Sequence, residues 1–159
     1  MSTVKTNALR VLTSMFLLLI FFSCIEKASE KNNSSRDPEE IIFIGFSNVG
    51  GQMGNYNNIK ITKDSIHFEN GSTVSKKHRE WHKLITSEIW KNLISSFKIN
   101  DLPSIESSSS IQAIDGIDET FQIKTTKNSY VFVNAYQDVH YRQFEEFKTK
   151  LENIVPKKP

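Results

Sequence analysis

The sequence predicts an α+β domain: an antiparallel sheet of about five to six strands with two amphipathic helices packed on one face. Three observations lead there. Short β-branched and aromatic runs alternate with turn-forming residues over 41–75 and 120–134. Two other segments carry apolar residues at helical spacing. The elements come in the order strands, helix, strands, helix.

Ile41-Ile42-Phe43-Ile44-Gly45-Phe46 has strand length and is apolar on both faces, so it is expected to be a central strand. Ser47 to Asn55 holds Gly50, Gly51 and Gly54 and reads as a turn or loop. Tyr56 to Thr62 alternates, with Ile59 and Ile61 on one face. Lys63-Asp64-Ser65 turns the chain, and Ile66-His67-Phe68-Glu69 returns with alternation. Asn70-Gly71 is a hairpin signal, which leaves Ser72 to Ser75 as a short edge strand. The basic run Lys76-Lys77-His78-Arg79 reads as a solvated loop or helix end.

Thr86 or Ser87 is placed to cap a helix with Glu88 in its first turn. Ile89, Trp90, Leu93, Ile94 and Phe97 then fall on one helical face. Pro103 and the serines at 107–110 mark a loop. Thr120 to Thr126 and Tyr130 to Asn134 form a second hairpin around Lys127-Asn128-Ser129. Asp138 is a candidate cap for the last helix, whose stripe is Phe144, Phe147, Leu151 and Ile154. Pro156 stops it, and Lys157-Lys158 suit its C-terminal end.

The N-terminus has a different character. Lys5 and Arg10 precede an apolar run from Val11 to Phe22, and the lone cysteine, Cys24, follows at once. A membrane-spanning helix needs about 20 apolar residues, whereas a signal h-region needs about 7–15. The run therefore fits a signal peptide over residues 1–23. Ordinary signal cleavage wants small residues at −3 and −1, and Phe21, Phe22 and Glu26 spoil the nearby positions. Cleavage before a lipid-modified Cys24 fits better. Residues 24–39 are polar and nearly free of large apolar groups, as expected for a lipidated cysteine and a flexible tether. Such a tether spans roughly 20 Å on average. A single domain then occupies residues 40–156.

Removing residues 1–23 takes away Lys5 and Arg10 and leaves 18 basic against 18 acidic residues. A neutral domain has no bulk electrostatic attraction for nucleic acid. With Cys24 given to lipid, no thiol chemistry or disulfide remains.

Candidate sites are sparse. The string His78-Arg79-Glu80-Trp81-His82 places two histidines four apart, but Arg79 stands where a zinc protease carries its general base. No metal or cofactor is expected. The glycine-rich segment lacks the GK[ST] ending of a phosphate loop. Its Asn48, Gln52, Asn55 and Tyr56 offer adaptable hydrogen bonds and make it the candidate binding loop. Asp115, Asp118 and Glu119 form a candidate polar cluster, with a turn before a strand as the simpler reading. No GxSxG elbow supports a serine nucleophile, and no catalytic residue is assigned.

The segment Phe21-Phe22-Ser23-Cys24 resembles the loose lipobox of Bacteroidetes-type lipoproteins. From Ile41 the chain is similar to small, mostly uncharacterised single-domain lipoproteins of such bacteria. The parts that carry the likeness are IIFIGFSNVGGQMGNYNNIKITKDSI, ITSEIWKNLISSF, DGIDETFQIKTTKNSYVF and the terminal amphipathic helix. The resemblance implies a palmitate-bearing protein held to a cell-envelope membrane through acyl chains on Cys24, the outer membrane before the inner. It carries no catalytic residues across. The expected role is a non-enzymatic binding or accessory module with an unidentified partner. One alternative is an inhibitor or immunity protein acting on an envelope or secreted enzyme. Another is a hydrolase with a dispersed carboxylate and histidine site.

Overall fold

The computed structural model describes residues 38–155. Strands β1 (Ile41–Gly50), β2 (Asn55–Thr62), β3 (Ser65–Ser72) and β4 (Lys77–Leu84) follow one another as a meander. Helix α1 (Ser87–Ile94) and a 3-10 helix (Ile99–Ser104) then carry the chain back. β5 (Ile117–Thr125) takes the free side of β1, β6 (Ser129–Val133) pairs with β5, and α2 (Arg142–Glu152) follows. The strand order is β4-β3-β2-β1-β5-β6, antiparallel throughout. This is the predicted α+β arrangement, with β1 central.

Residues paired across strands share a face, so the register shows how the core is made. Phe46 lies opposite Ile59 and Phe121; Ile59 continues to Phe68 and then Trp81, and Phe121 to Phe132. One step along, Ile44, Ile61, Ile66 and Ile123 are all 0% exposed. Both helices cover this face. Phe144 and Phe147 of α2 approach the Phe121 ring at 4.5 and 5.9 Å between centroids. Trp90 and Leu93 of α1 are buried in the same cluster. The opposite face carries Lys60, Lys124, Glu80 and His82, which are exposed.

Thr86 caps α1 as expected, its hydroxyl accepting from the Ile89 amide at 3.3 Å. Asp138 does something else. Helix α2 starts later, after Tyr141, with no side-chain cap. Asp138 instead accepts from the His140 amide at 2.7 Å and from the Glu106 amide at 2.9 Å. It braces the approach to the helix and ties down the 105–114 loop.

Three local expectations are corrected. Asn70-Gly71 is not a turn. β3 runs through both residues, Asn57 pairing with Asn70 and Tyr56 with Gly71, and the turn falls at 73–76. Lys76 supplies its left-handed residue, at φ 53°. Gly71 is required for a different reason. A Cβ there would strike the Lys77 backbone carbonyl oxygen and lie 2.6 Å from Tyr56 Cζ, since Tyr56 crosses it to hydrogen-bond His78 Nδ1 at 2.9 Å. Consequently Lys77, His78 and Arg79 of the basic run enter β4 instead of a loop or helix end, while Lys76 stays in the turn. The Ser47–Asn55 loop likewise shrinks to Gly51–Gly54, since its flanks pair in the β1–β2 ladder.

The edges are managed. β4 is an edge strand of sequence KHREWHKL, and dense charge discourages pairing with another chain. The β6 edge is partly covered: Ser108 N donates to Val133 O at 2.8 Å, and Val133 N donates to Ser107 Oγ at 3.0 Å. The domain is already ordered at Glu39, placed by sequence in the tether: its carboxylate accepts from Asn128 Nδ2 at 3.1 Å and from Thr125 Oγ1. No helix among the described residues is long and apolar enough to cross a membrane. The signal peptide, Cys24, Pro156 and Lys157-Lys158 lie outside the described residues.

Candidate functional site

The sheet is longer than the helices that cover it. Along each of five strands the helix-side face changes from apolar to polar at one register line. Phe46 gives way to Asn48, Ile59 to Asn57, Phe68 to Asn70, Trp81 to Arg79, and Phe121 to Glu119. Asn48 pairs with Asn57 and Glu119, Asn57 with Asn70, and Asn70 with Arg79. Three asparagines thus form a ladder between an arginine and a glutamate. The next row holds Asn55, Ser72 and Lys77.

Around this end of the sheet lies a cavity of about 1030 Å³, bordered by these rows and, from the opposite face, by the Tyr56, Gly71 and His78 row. None of its lining residues belongs to α1 or α2. Its rim is made by two adjoining turns: Ser72 Oγ donates to Met53 O at 2.7 Å, and Thr73 N to Gly54 O at 3.1 Å. Phe68 stacks on Trp81, centroids 5.6 Å apart, and forms the apolar wall where core meets cavity. Lys76, Lys77 and Arg79 line the basic side; among the described residues no aspartate or glutamate lines the cavity. These cations have no ion-pair partner among the described residues. Asn57 Oδ1 is shielded from solvent and lacks a hydrogen-bond partner among the described residues. Leaving a buried acceptor unpaired costs about 1–3 kcal/mol, which is the kind of cost a bound donor removes.

Of the candidate loop residues, Asn48, Asn55 and Tyr56 line this cavity. They do so from strands, not from a loop. Gln52 sits exposed on the turn and does not line it.

Asp115, Asp118 and Glu119 do not come together as one site. Asp115 is exposed, ending a short 3-10 turn at φ 60°. Asp118 is buried and accepts from Ile111 N and Asn134 Nδ2, each at 2.8 Å. The Ser110 hydroxyl, with help from these two donors, holds its carboxyl below the usual range despite burial. Glu119 accepts from Tyr141 OH at 2.6 Å and from Lys148 Nζ at 2.9 Å. Burial, then the Glu119 carboxylate, push the Tyr141 phenol up. Burial alone would lower Lys148, but Glu119 and Tyr141 raise it. Adjacent strand residues point to opposite faces, which is why Asp118 braces a loop while Glu119 meets α2.

No histidine is among the hydrogen-bond or ion-pair partners of these carboxylates in the described residues. His67 and His78 pair with Glu80 at 3.7 and 3.6 Å, and His140 with Asp101 at 3.4 Å. His78 and His82 lie in β4. Four residues along a strand separate them by about 13 Å, too far to share one ion. Among the described residues no group of three or more His, Cys, Asp and Glu side chains is placed to hold a metal. No protein-family model matches the chain, and no curated protein matches it.

Sequence reasoning missed Asn57, Asn70, Phe68, Lys77 and Arg79 as site residues. Their signal is positional: each lies an even number of places from a core residue on its own strand, so each shares that residue's face.

Proposed function

We propose that this protein is a lipid-anchored binding module of the bacterial cell envelope, working through the uncovered polar end of its sheet. The observation that carries the proposal is the open cavity lined by one polar row, Asn48, Asn57, Asn70 and Arg79, in which Asn57 Oδ1 has no hydrogen-bond partner among the described residues. Interiors satisfy nearly all buried polar groups, and a fixed acceptor at the floor of a cleft is what ligand sites retain. Anchoring rests on the sequence: the charged start, the short apolar run and Cys24. Acyl chains on Cys24 and a polar tether leave the domain free to meet a partner near the membrane.

Site-specific photo-crosslinking in cells tests this. A photoreactive residue replacing Lys76 or Asn55, at the cavity, should yield a discrete adduct in the membrane fraction. The same residue replacing Lys60, on the opposite face, should not. Equal labelling from both faces, or from neither, counts against the proposal.

An inhibitor or immunity role is favoured by one feature. Met53 and Val74 are 46% and 61% exposed and adjoin at the rim, Val74 N lying 3.4 Å from Met53 O. An apolar tip of this kind suits insertion into a protein cleft. A protein adduct captured at Met53 as well as at Lys76 would favour that role.

A further inference from the structure

We infer that the cavity takes an acidic saccharide: a short chain of hydroxyl-rich rings bearing a carboxylate or sulfate. The inference rests on the binding-module reading and names the ligand class for the same site.

The site divides its chemistry between a cationic end and a neutral polar row. Cations occupy one side only, on β4 and the turn before it, as Lys76, Lys77 and Arg79. From Arg79 the row continues inward as Asn70, Asn57 and Asn48. Arg79 to Asn48 crosses three strand spacings, about 14 Å. A ligand filling that row presents an anion at one end and neutral polar groups along the rest.

Each asparagine amide offers two donors and one acceptor. A sugar hydroxyl needs both kinds of partner, so an amide ladder complements a row of hydroxyls. Asn57 Oδ1 has no hydrogen-bond partner among the described residues and is closed to solvent; as the amide turns toward the cavity it accepts from a donor, which a hydroxyl supplies and a phosphate or carboxylate does not. Phe68, on the wall above the ladder, offers an apolar face for the C–H side of a ring. Arg79 supplies the planar fork that matches a carboxylate or sulfate.

Other polyanions fit less well. Single-stranded nucleic acid needs positive charge along the whole groove and successive stacking platforms, whereas the cations here sit at one end. An acidic peptide in extended form pairs with a sheet edge. The ladder is on a sheet face, and the nearby edge strand β4 is heavily charged.

The test uses the full-length protein in detergent micelles on an array of oligosaccharides, with galacturonic acid tetramer as the titrated probe. Its methyl-esterified form and a glutamate decapeptide serve as comparisons. The tetramer should bind at least about tenfold more tightly than either. Asn57→Ala and Arg79→Gln should each weaken it about tenfold, the worth of one good polar contact. Lys60→Glu should leave binding unchanged. Circular dichroism and thermal melts of each variant separate lost binding from lost folding. The inference is overturned if acidic saccharides are retained no better than neutral ones, or if the decapeptide binds equally well. If the array is silent while photo-crosslinks from Lys76 still form in cells, the saccharide is wrong and the binding module stands. If both are silent, both are wrong.

Discussion

Phe121 holds the sheet and the helices together at the residue scale. Its ring stacks on Phe46 at 4.7 Å and meets Phe144 at 4.5 Å, and it is 2% exposed. Truncating it removes contacts to a neighbouring strand and to α2 at once. Phe121→Ala should therefore cost about 3–5 kcal/mol, read from the shift in a urea denaturation curve. A loss below about 1 kcal/mol would show that the helix does not pack on this ring. Asp118 gives a pH prediction. Its folded-state pKa lies below the unfolded value, so its contribution is complete above the unfolded pKa of about 3.9. It is lost as pH falls through the folded value. Urea midpoints should decline in that acid range, and Asp118→Asn should flatten the decline, because its amide oxygen still accepts from Ile111 without titrating.

Element boundaries followed hydrophobic period closely where the period was strong. α1, its Thr86 cap and the β5–β6 hairpin lie close to where spacing placed them, because Trp90, Leu93, Phe121 and Ile123 face the core at regular intervals; α1 ends at Ile94, short of Phe97, and on β6 it is Phe132 that faces inward. Thr86→Ala should cost about 1 kcal/mol in thermal or chemical unfolding; no change would mean the cap bond is not formed in solution. The β3–β4 hairpin was less legible. Asn-Gly is a strong turn signal by itself, yet the Tyr56 ring needs the space above Gly71, a tertiary demand that no local window contains. Gly71→Ala tests this, since it should displace Tyr56 and lower stability by more than about 1 kcal/mol. An unchanged melting temperature would return the glycine to an ordinary strand position. Lys77 to Arg79 were misplaced for another reason: β4 is almost wholly exposed and has only Trp81 to mark its inward face.

The domain over residues 38–155 is a sheet whose helix-side face is covered at one end and open at the other. The covered half was legible in sequence because burial writes an apolar pattern. Of the open half, Asn48, Asn55 and Tyr56 stood out only as residues of a polar glycine-rich stretch. That Asn48, Asn57, Asn70 and Arg79 form one row depends on the register of four strands, which periodicity within a strand does not specify. The polar row carries the binding proposal, and the charged start, the short apolar run and Cys24 carry the proposed membrane anchor. The most direct measurement is the intact mass and N-terminal fragment of the full-length protein purified from bacterial membranes. The account predicts a chain that begins at Cys24 and carries at least two acyl chains, the minimum for stable anchoring. A chain recovered with Met1 still present and Cys24 unmodified would contradict it.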